Sequence, residues 1–257
     1  MRSIRDRLHA LWRRSILNPY HFDNQLLKAR IGELGGELTG RMLDVGCGER
    51  PHAAAFPNID RYFGIEHLAA VINVEQTLAT TVEHVQSIID AFAEGERLPF
   101  RGGSFDSCIA IEVLEHVPDP NCVVAEMRRV LRPGGTLMIT VPFVGELHQT
   151  PYDYRRFTIF GIERLLQDHG FVIEKTLARG NFTAAAGRVL AHWLYRLGGK
   201  FIKRDGAVRM HKWAIPLVLP LCAGTLLVFR FLSRFSKDET LCLGYAVLAK
   251  APAAPAP

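Results

Sequence analysis

The stretch Arg41-Met42-Leu43-Asp44-Val45-Gly46-Cys47-Gly48-Glu49-Arg50-Pro51 decides how this chain folds. MLDV (42–45) is a short apolar run that ends in a glycine turn, which predicts a buried strand followed at once by a tight reversal. Gly46 and Gly48 let the backbone turn sharply and approach a ligand where a Cβ would clash, and such a turn builds a site at the carboxyl edge of a parallel sheet. A pyrophosphate-binding fingerprint needs a third small residue at the start of the next helix, and Pro51 stands there instead. Asp44 reinforces the point, because a carboxylate before the glycines repels phosphate and attracts an ammonium or sulfonium group.

Outward from this turn, short apolar runs alternate with helical stretches, the pattern of βαβ units. RYFGI (61–65), VQSII (85–89), DSCIAI (106–111), TLMITV (136–141) and FVIEKTL (171–177) read as further strands, and TLCLGYAVLA (240–249) as a last one after a long interruption. A helix is predicted over 121–131, stopped by Arg132-Pro133-Gly134-Gly135. Glu66, directly after RYFGI, can accept both hydroxyls of a ribose, the alternative being an exposed charge after a strand. Asp90, after VQSII, is set to accept from an adenine amino group, with Glu94 as rival because the segment leading to Leu98-Pro99-Phe100 is long.

LDVGCG (43–48), LPF and GSFD within 98–106, IEVLEHVPDP (111–120) and EMRRVLRPGGTLMITVP (126–142) together resemble the class I methyltransferases of the methyltransferase type 11 group. The resemblance covers about residues 40–178 and the terminal strand. It implies an α/β, Rossmann-like seven-stranded sheet of order 3-2-1-4-5-7-6 with the last strand antiparallel, and S-adenosylmethionine as cofactor. It further implies that Asp44, Gly46, Cys47 and Gly48 flank the methionine end, Glu66 the ribose and Asp90 the adenine. Glu112, at the exit of the fourth strand, is a further residue on the cofactor side.

Methyl transfer from a sulfonium is an in-line displacement with a leaving group already activated, so the protein must align the acceptor and remove a proton if that acceptor is a hydroxyl. Imidazole titrates near neutral pH, which makes His116 and His148 candidate general bases, each against the alternative of a supporting role. Tyr152, Asp153, Tyr154 and Arg155, with Arg156, can clamp a polyhydroxylated or anionic acceptor, or can form a structural loop whose arginines pair with Asp153 and Glu163. A similar H…P.DY.RFT pattern occurs in type 11 relatives linked to cell-surface glycan chemistry. The strand-four exit IAIEV lacks the Pro-Pro motif of planar-amine methylation, and no Pro-Cys pair suits cytosine chemistry, which argues against nucleic acid as substrate. The ten histidines form no ligand-spaced cluster, so no metal is expected.

The net charge of +5 is unevenly spread: residues 188–238 carry ten basic side chains against two acids. Within that region, Trp213 to Phe229 holds seventeen residues without a charge, bracketed by Lys212 and Arg230. A single crossing would strand the last β-strand on the wrong side of a bilayer, so a hairpin or interfacial element is expected, with Phe182 to Leu197 as its first arm and a basic connector from Lys200 to Lys212. Basic residues around apolar, tryptophan-bearing segments suit an anionic membrane surface, and the alternative is packing on the domain or in a homodimer. Residues 4–17 read as a basic amphipathic helix, not a signal peptide, since Arg13 and Arg14 interrupt its apolar run. Five scattered cysteines suit a reducing compartment.

The expected organisation is an N-terminal helical region (1–39), a catalytic domain (40–180 and 239–250), an apolar and basic helical insertion (181–238) and a disordered tail (251–257). The expected activity is methylation of a small-molecule or lipid-linked glycan acceptor, most simply at oxygen. The alternatives are a quinone or other lipid acceptor, or a catalytically silent membrane scaffold. The expected location is cytoplasmic, at the inner face of the membrane.

Overall fold

In the computed structural model, which describes residues 15–18, 20–68, 88–201 and 208–253, the strand predicted at 42–45 is β1 (Gly40–Val45). Met42, Leu43 and Val45 are buried, as expected of a strand covered on both faces. β1 pairs in parallel with β2 (Ile59–Glu66) on one side and β4 (Phe105–Ile111) on the other, so that Leu43 lies between Phe63 and Cys108. β3 (Ala91–Phe92) pairs in parallel with β2, and β5 (Leu131–Pro142) with β4. With β6 (Val172–Ala178) and β9 (Gly244–Lys250) the order is β3-β2-β1-β4-β5-β9-β6, the order expected. Ala251, just past β9, exchanges backbone bonds with Gly134 and Gly135 at the start of β5, so β9 runs against its neighbour and the sheet is mixed. The strand order reverses between β1 and β4, and ligands of open α/β sheets bind in the crevice at such a point.

Local chemistry sets the helix ends. α1 (His21–Gly35) precedes the sheet, and α2 (Pro120–Val130) starts where the Asp119 side chain accepts from Asn121 N at 2.9 Å, with Pro120 in the first turn. Val123, Val124, Met127 and Val130 form its buried stripe. α3 (Ile159–Asp168) is capped by Thr158, whose hydroxyl accepts from Gly161 N at 3.1 Å.

Four expectations need correction. The third strand is Ala91–Phe92, not 85–89: residues 88 and 89 lie outside any strand, and 85–87 lie outside the described residues. The helix ends at Val130, as its stop signal predicts, but the next strand starts at Leu131, not at Thr136, so that Arg132–Gly135 lies within β5; there the register jumps from Phe105↔Leu131 to Ser107↔Thr136 and Gly134 adopts φ +75°. The last strand starts at Gly244, leaving Thr240–Leu243 ahead of it. Ala251, placed in the tail, is buried and continues the sheet. The amphipathic helix expected over 4–17 lies outside the described residues except for 15–17, which form a bend and turn.

The chain divides into two compact units. The sheet unit takes in 29–142, 154–177 and 245 onward. The helical unit combines 143–153 and 178–244 with the described residues before Ala29, and so takes in more than the expected insertion. Within it, α4 (Phe182–Leu197) and α5 (Ile215–Ser233) pack as a hairpin, joined through the antiparallel pair β7 (Gly199–Phe201) and β8 (Val208–Met210). Asn181 caps α4 by accepting from Ala184 N at 3.0 Å, while its amide donates to Ser233 O and Ser236 O at the far end of α5. Two glycines allow the close approach: a Cβ on Gly187 would stand 2.3 Å from Phe229 Cβ, and one on Gly198 would stand 2.9 Å from Val218. Ala191, Cys222, Leu226 and Phe22 form the unit's core.

Candidate active site

The glycine turn leaves β1 at the switch point. Gly46 (φ +74°) and Gly48 (φ +49°) are both left-handed; a Cβ on Gly46 would meet Val113 at 2.5 Å, whereas above Gly48 there is open space. Glu66 closes β2 beneath the turn: one carboxylate oxygen accepts from Gly48 N at 2.8 Å, the other from His67 N at 3.0 Å. Burial raises Glu66 above the ordinary carboxylate range, opposed by those two N–H groups.

Asp44 is fully buried on the same edge. One of its oxygens accepts from the Tyr62 hydroxyl; the other, Oδ1, is buried with no hydrogen-bond partner. Burial, with Glu66 adding to it, lifts the Asp44 carboxyl to about 7 despite the Tyr62 bond and nearby Arg50. A buried carboxylate with an unused acceptor calls for a cation, and an amino-acid ammonium fits that need. Burial and the neighbouring acids push the Cys47 thiol up to about 12, so Cys47 packs against the turn and is no nucleophile.

Asp90, expected at the adenine, has protein partners at one of its carboxylate oxygens. Its Oδ2 accepts from Gly64 N at 2.7 Å and pairs with the Arg50 guanidinium, which lies 4.8 Å over the Tyr62 ring. Asp90 therefore ties the glycine loop to the sheet edge ahead of β3, while Glu94 lies just past β3, its backbone bridged to Arg97. Sequence reasoning missed Tyr62 and Arg50, whose partners are 18 and 40 residues away. It also gave no hint that Glu112 holds φ +54° at the end of β4, where Thr140 Oγ1 both accepts from its N–H and donates to its carboxylate, each at 3.1 Å. Such strain in a non-glycine residue marks a position the surroundings over-determine.

Of the residues expected on the acceptor side, His116 lies in the sheet unit, its Nε2 3.6 Å from a carboxylate oxygen of the fully buried Glu115. Arg155 donates to the carbonyls of Val117 and Pro118 at 2.6 and 2.8 Å, which locks the segment after β4. The expected clamp accordingly gives up Arg155 to backbone carbonyls and Asp153 to His148; Tyr152 and Tyr154 remain exposed. In the helical unit, Asp153 Oδ2 accepts from His148 N at 3.0 Å and stands 3.4 Å from His148 Nδ1, which also lies 3.2 Å from the Glu146 carbonyl. The Asp153 side chain is 1% exposed, and this pairing of a half-exposed imidazole with a buried carboxylate was not read from the sequence.

An open α/β sheet with a glycine turn after β1 and an acidic residue closing β2 defines a Rossmann-like protein that binds a nucleoside-bearing cofactor. Residues 43–139 match the family described as Methyltransferase domain. The ubiquinone biosynthesis O-methyltransferase of Pseudomonas aeruginosa (strain LESB58) is 30% identical over 167 residues, 62% of this chain and 66% of that protein. Its Xanthomonas campestris pv. campestris (strain B100) counterpart is 33% identical over 150 residues, 56% and 53% of the two chains. This chain thus spans just under two thirds of the first relative and about half of the second. Among solved structures, a complex of the Haloferax volcanii Trm112 methyltransferase activator with the putative methyltransferase is similar in fold, with TM-score 0.56, 15% identity and coverage of 99% of this chain and 100% of that one. Residues 43–139 thus carry a methyltransferase domain, and this match together with the strand order supports a class I S-adenosylmethionine-dependent methyltransferase.

Asp44, the glycine turn and Glu66 fit that cofactor: the orphaned Asp44 oxygen suits its ammonium, the space over Gly48 its approach, and Glu66 its ribose hydroxyls. Replacing Glu66 with alanine is expected to weaken S-adenosylhomocysteine binding by roughly 1–3 kcal/mol, about tenfold or more. Calorimetry with NAD as control measures this; an unchanged affinity removes Glu66 from the site.

Proposed function

We propose that this protein methylates a hydroxyl oxygen on a lipid-like acceptor of the quinone type, with His148 as general base oriented by Asp153. The observation that carries this is the His148–Asp153 pair, because oxygen methylation, unlike transfer to a free amine, asks for proton removal by a placed base. Both relatives described above are O-methyltransferases of ubiquinone biosynthesis by name. S-adenosylmethionine, when bound, supplies a methyl group on an electrophilic sulfonium. Asp44 and Glu66 hold its polar ends, with Gly46, Cys47 and Gly48 beside the methionine portion and Glu112 at the strand exit; His148 takes the acceptor proton. In the chain, the segment that bears His148 follows directly on β5. A lipid-linked glycan is the second reading, supported by exposed Tyr152 and Tyr154, and acceptor trials with a prenylated catechol and a lipid-linked sugar separate the two.

We further infer that the helical unit seats on the inner, cytoplasmic face of a membrane. α5 is, among the described residues, the one helix long and apolar enough to cross a bilayer, and only 22% of its most apolar window is buried. Val189, Leu190, Trp193 and Leu197 on α4 and Leu217 and Leu221 on α5 are exposed, while Arg196, Lys212, Arg230 and Arg234 flank them. A large apolar surface with a basic fringe suits interfacial seating on anionic lipid, and the hairpin returns the chain to the side it left. The protein is expected to sediment with phosphatidylglycerol vesicles and far less with phosphatidylcholine alone. Trp193→Glu with Leu217→Glu should weaken that binding at least roughly tenfold. Dimers that stay in the supernatant would assign the surface to a second copy instead.

A further inference from the structure

Glu146 has two attachments that point in different directions. Its side chain reaches into the core of the helical unit, where a carboxylate oxygen accepts from Arg188 Nη2 at 2.6 Å and lies 3.4 Å from His192 Nδ1. The Arg188 guanidinium, almost wholly buried, sits 4.6 Å over the Tyr20 ring, and the Tyr20 hydroxyl also bonds to Glu146. Its main-chain carbonyl faces the other way, 3.2 Å from His148 Nδ1. A carbonyl and a carboxylate can only accept, so with the Glu146 carbonyl and Asp153 both at Nδ1, that nitrogen must carry the proton of the neutral ring. The lone pair is then on Nε2, the form a base needs in order to take a proton.

We propose that Glu146 is a positioning residue: anchored through its side chain to Arg188 on α4, it uses its backbone carbonyl to hold His148 in the Nδ1–H tautomer. The proposal rests on His148 being the base, but the tautomer is measurable without any acceptor. The segment 143–153 lacks regular secondary structure, so a backbone carbonyl within it keeps its place only if something fixes the residue that bears it. Buried charge supplies that fixing. Burial alone would raise the Glu146 carboxyl, but Arg188 and His192 outweigh it and hold the group at about 2, so Glu146 stays ionised and paired over the working pH range. The arrangement also links the apolar hairpin to the base, since Arg188 lies one residue before Val189 on the exposed stripe of α4.

Nitrogen-15 NMR of the imidazole rings in the full chain tests this, with His169 as internal reference because its Nδ1 faces the Leu165 carbonyl at 2.9 Å in the sheet unit. The neutral form of His148 is expected as Nδ1–H, with Glu146→Gln shifting it toward Nε2–H and leaving His169 unchanged. Arg188→Lys, which keeps the buried charge but gives up the planar donors, is read in the same way if Glu146→Gln disturbs His169. His148 found as Nε2–H in the unsubstituted protein, or an unchanged tautomer in a variant that retains the His169 signal, overturns the proposal. If the tautomer shifts as expected while His148→Ala methylates at full rate, the positioning stands and the assignment of His148 as base falls.

Discussion

With His148 replaced by alanine, methylation of a prenylated catechol is expected to slow by roughly 10²–10⁴-fold, the usual contribution of a positioned general base. Affinity for S-adenosylmethionine should not change, since Asp44 and Glu66, proposed to hold it, belong to the sheet unit and His148 to the helical unit. Asp153→Asn should give a smaller loss of the same kind: an amide can still meet the ring but no longer favours the imidazolium that forms as the proton moves. Steady-state kinetics and calorimetry on the same preparations check both halves. A wild-type kcat in His148→Ala would leave the acceptor proton to solvent or another group, and loss of cofactor binding would mean that the substitution disturbs more than the base.

The second large effect is a pH-dependent affinity for the cofactor. Burial lifts the Asp44 carboxyl to about 7, so below that pH the ligand-free protein holds a proton on Asp44. A cationic ammonium favours the carboxylate, so binding below pH 7 must expel that proton. Affinity should then fall by up to about tenfold per pH unit as pH drops below 7, and level off above it. Calorimetry in buffers of different ionisation enthalpy counts the proton released, and Asp44→Asn should both weaken binding and flatten the profile. Stability runs in the opposite sense. Between the unfolded value of 3.8 and about 7 the folded chain binds the proton more tightly than the unfolded chain, so the ligand-free protein loses stability as pH rises through that window. A pH-independent affinity would mean that Asp44 is already ionised before the cofactor arrives.

Particular residues show why some of this could be read from sequence and some could not. Gly46, Gly48 and Glu66 were visible because their roles are backbone and end-of-strand properties, expressed within a few residues. The α4–α5 hairpin was visible too: uninterrupted apolar length between basic ends is a local signal. β3 was misplaced because it is two residues long and pairs only with β2 at Ile65 and Glu66, too short for an apolar pattern to reveal it. Arg155 and Asp153 looked like ligand-binding groups in a polar run. In the fold their donors and acceptors meet Val117, Pro118 and His148, and which of several reachable partners a charged side chain takes is set by three-dimensional placement.

Hydrophobic period, glycine freedom and charge are properties of short segments, so the class of sheet, the glycine turn after β1 and the apolar hairpin could all be read from the chain. That Tyr62 and Arg50 occupy Asp44 and Asp90, that Glu112 is strained, and that Glu146 and Asp153 close on His148 emerges from the folded chain. Those are pairings in which desolvation makes each buried polar group depend on a specific partner, and the partner's place is an outcome of packing the whole chain.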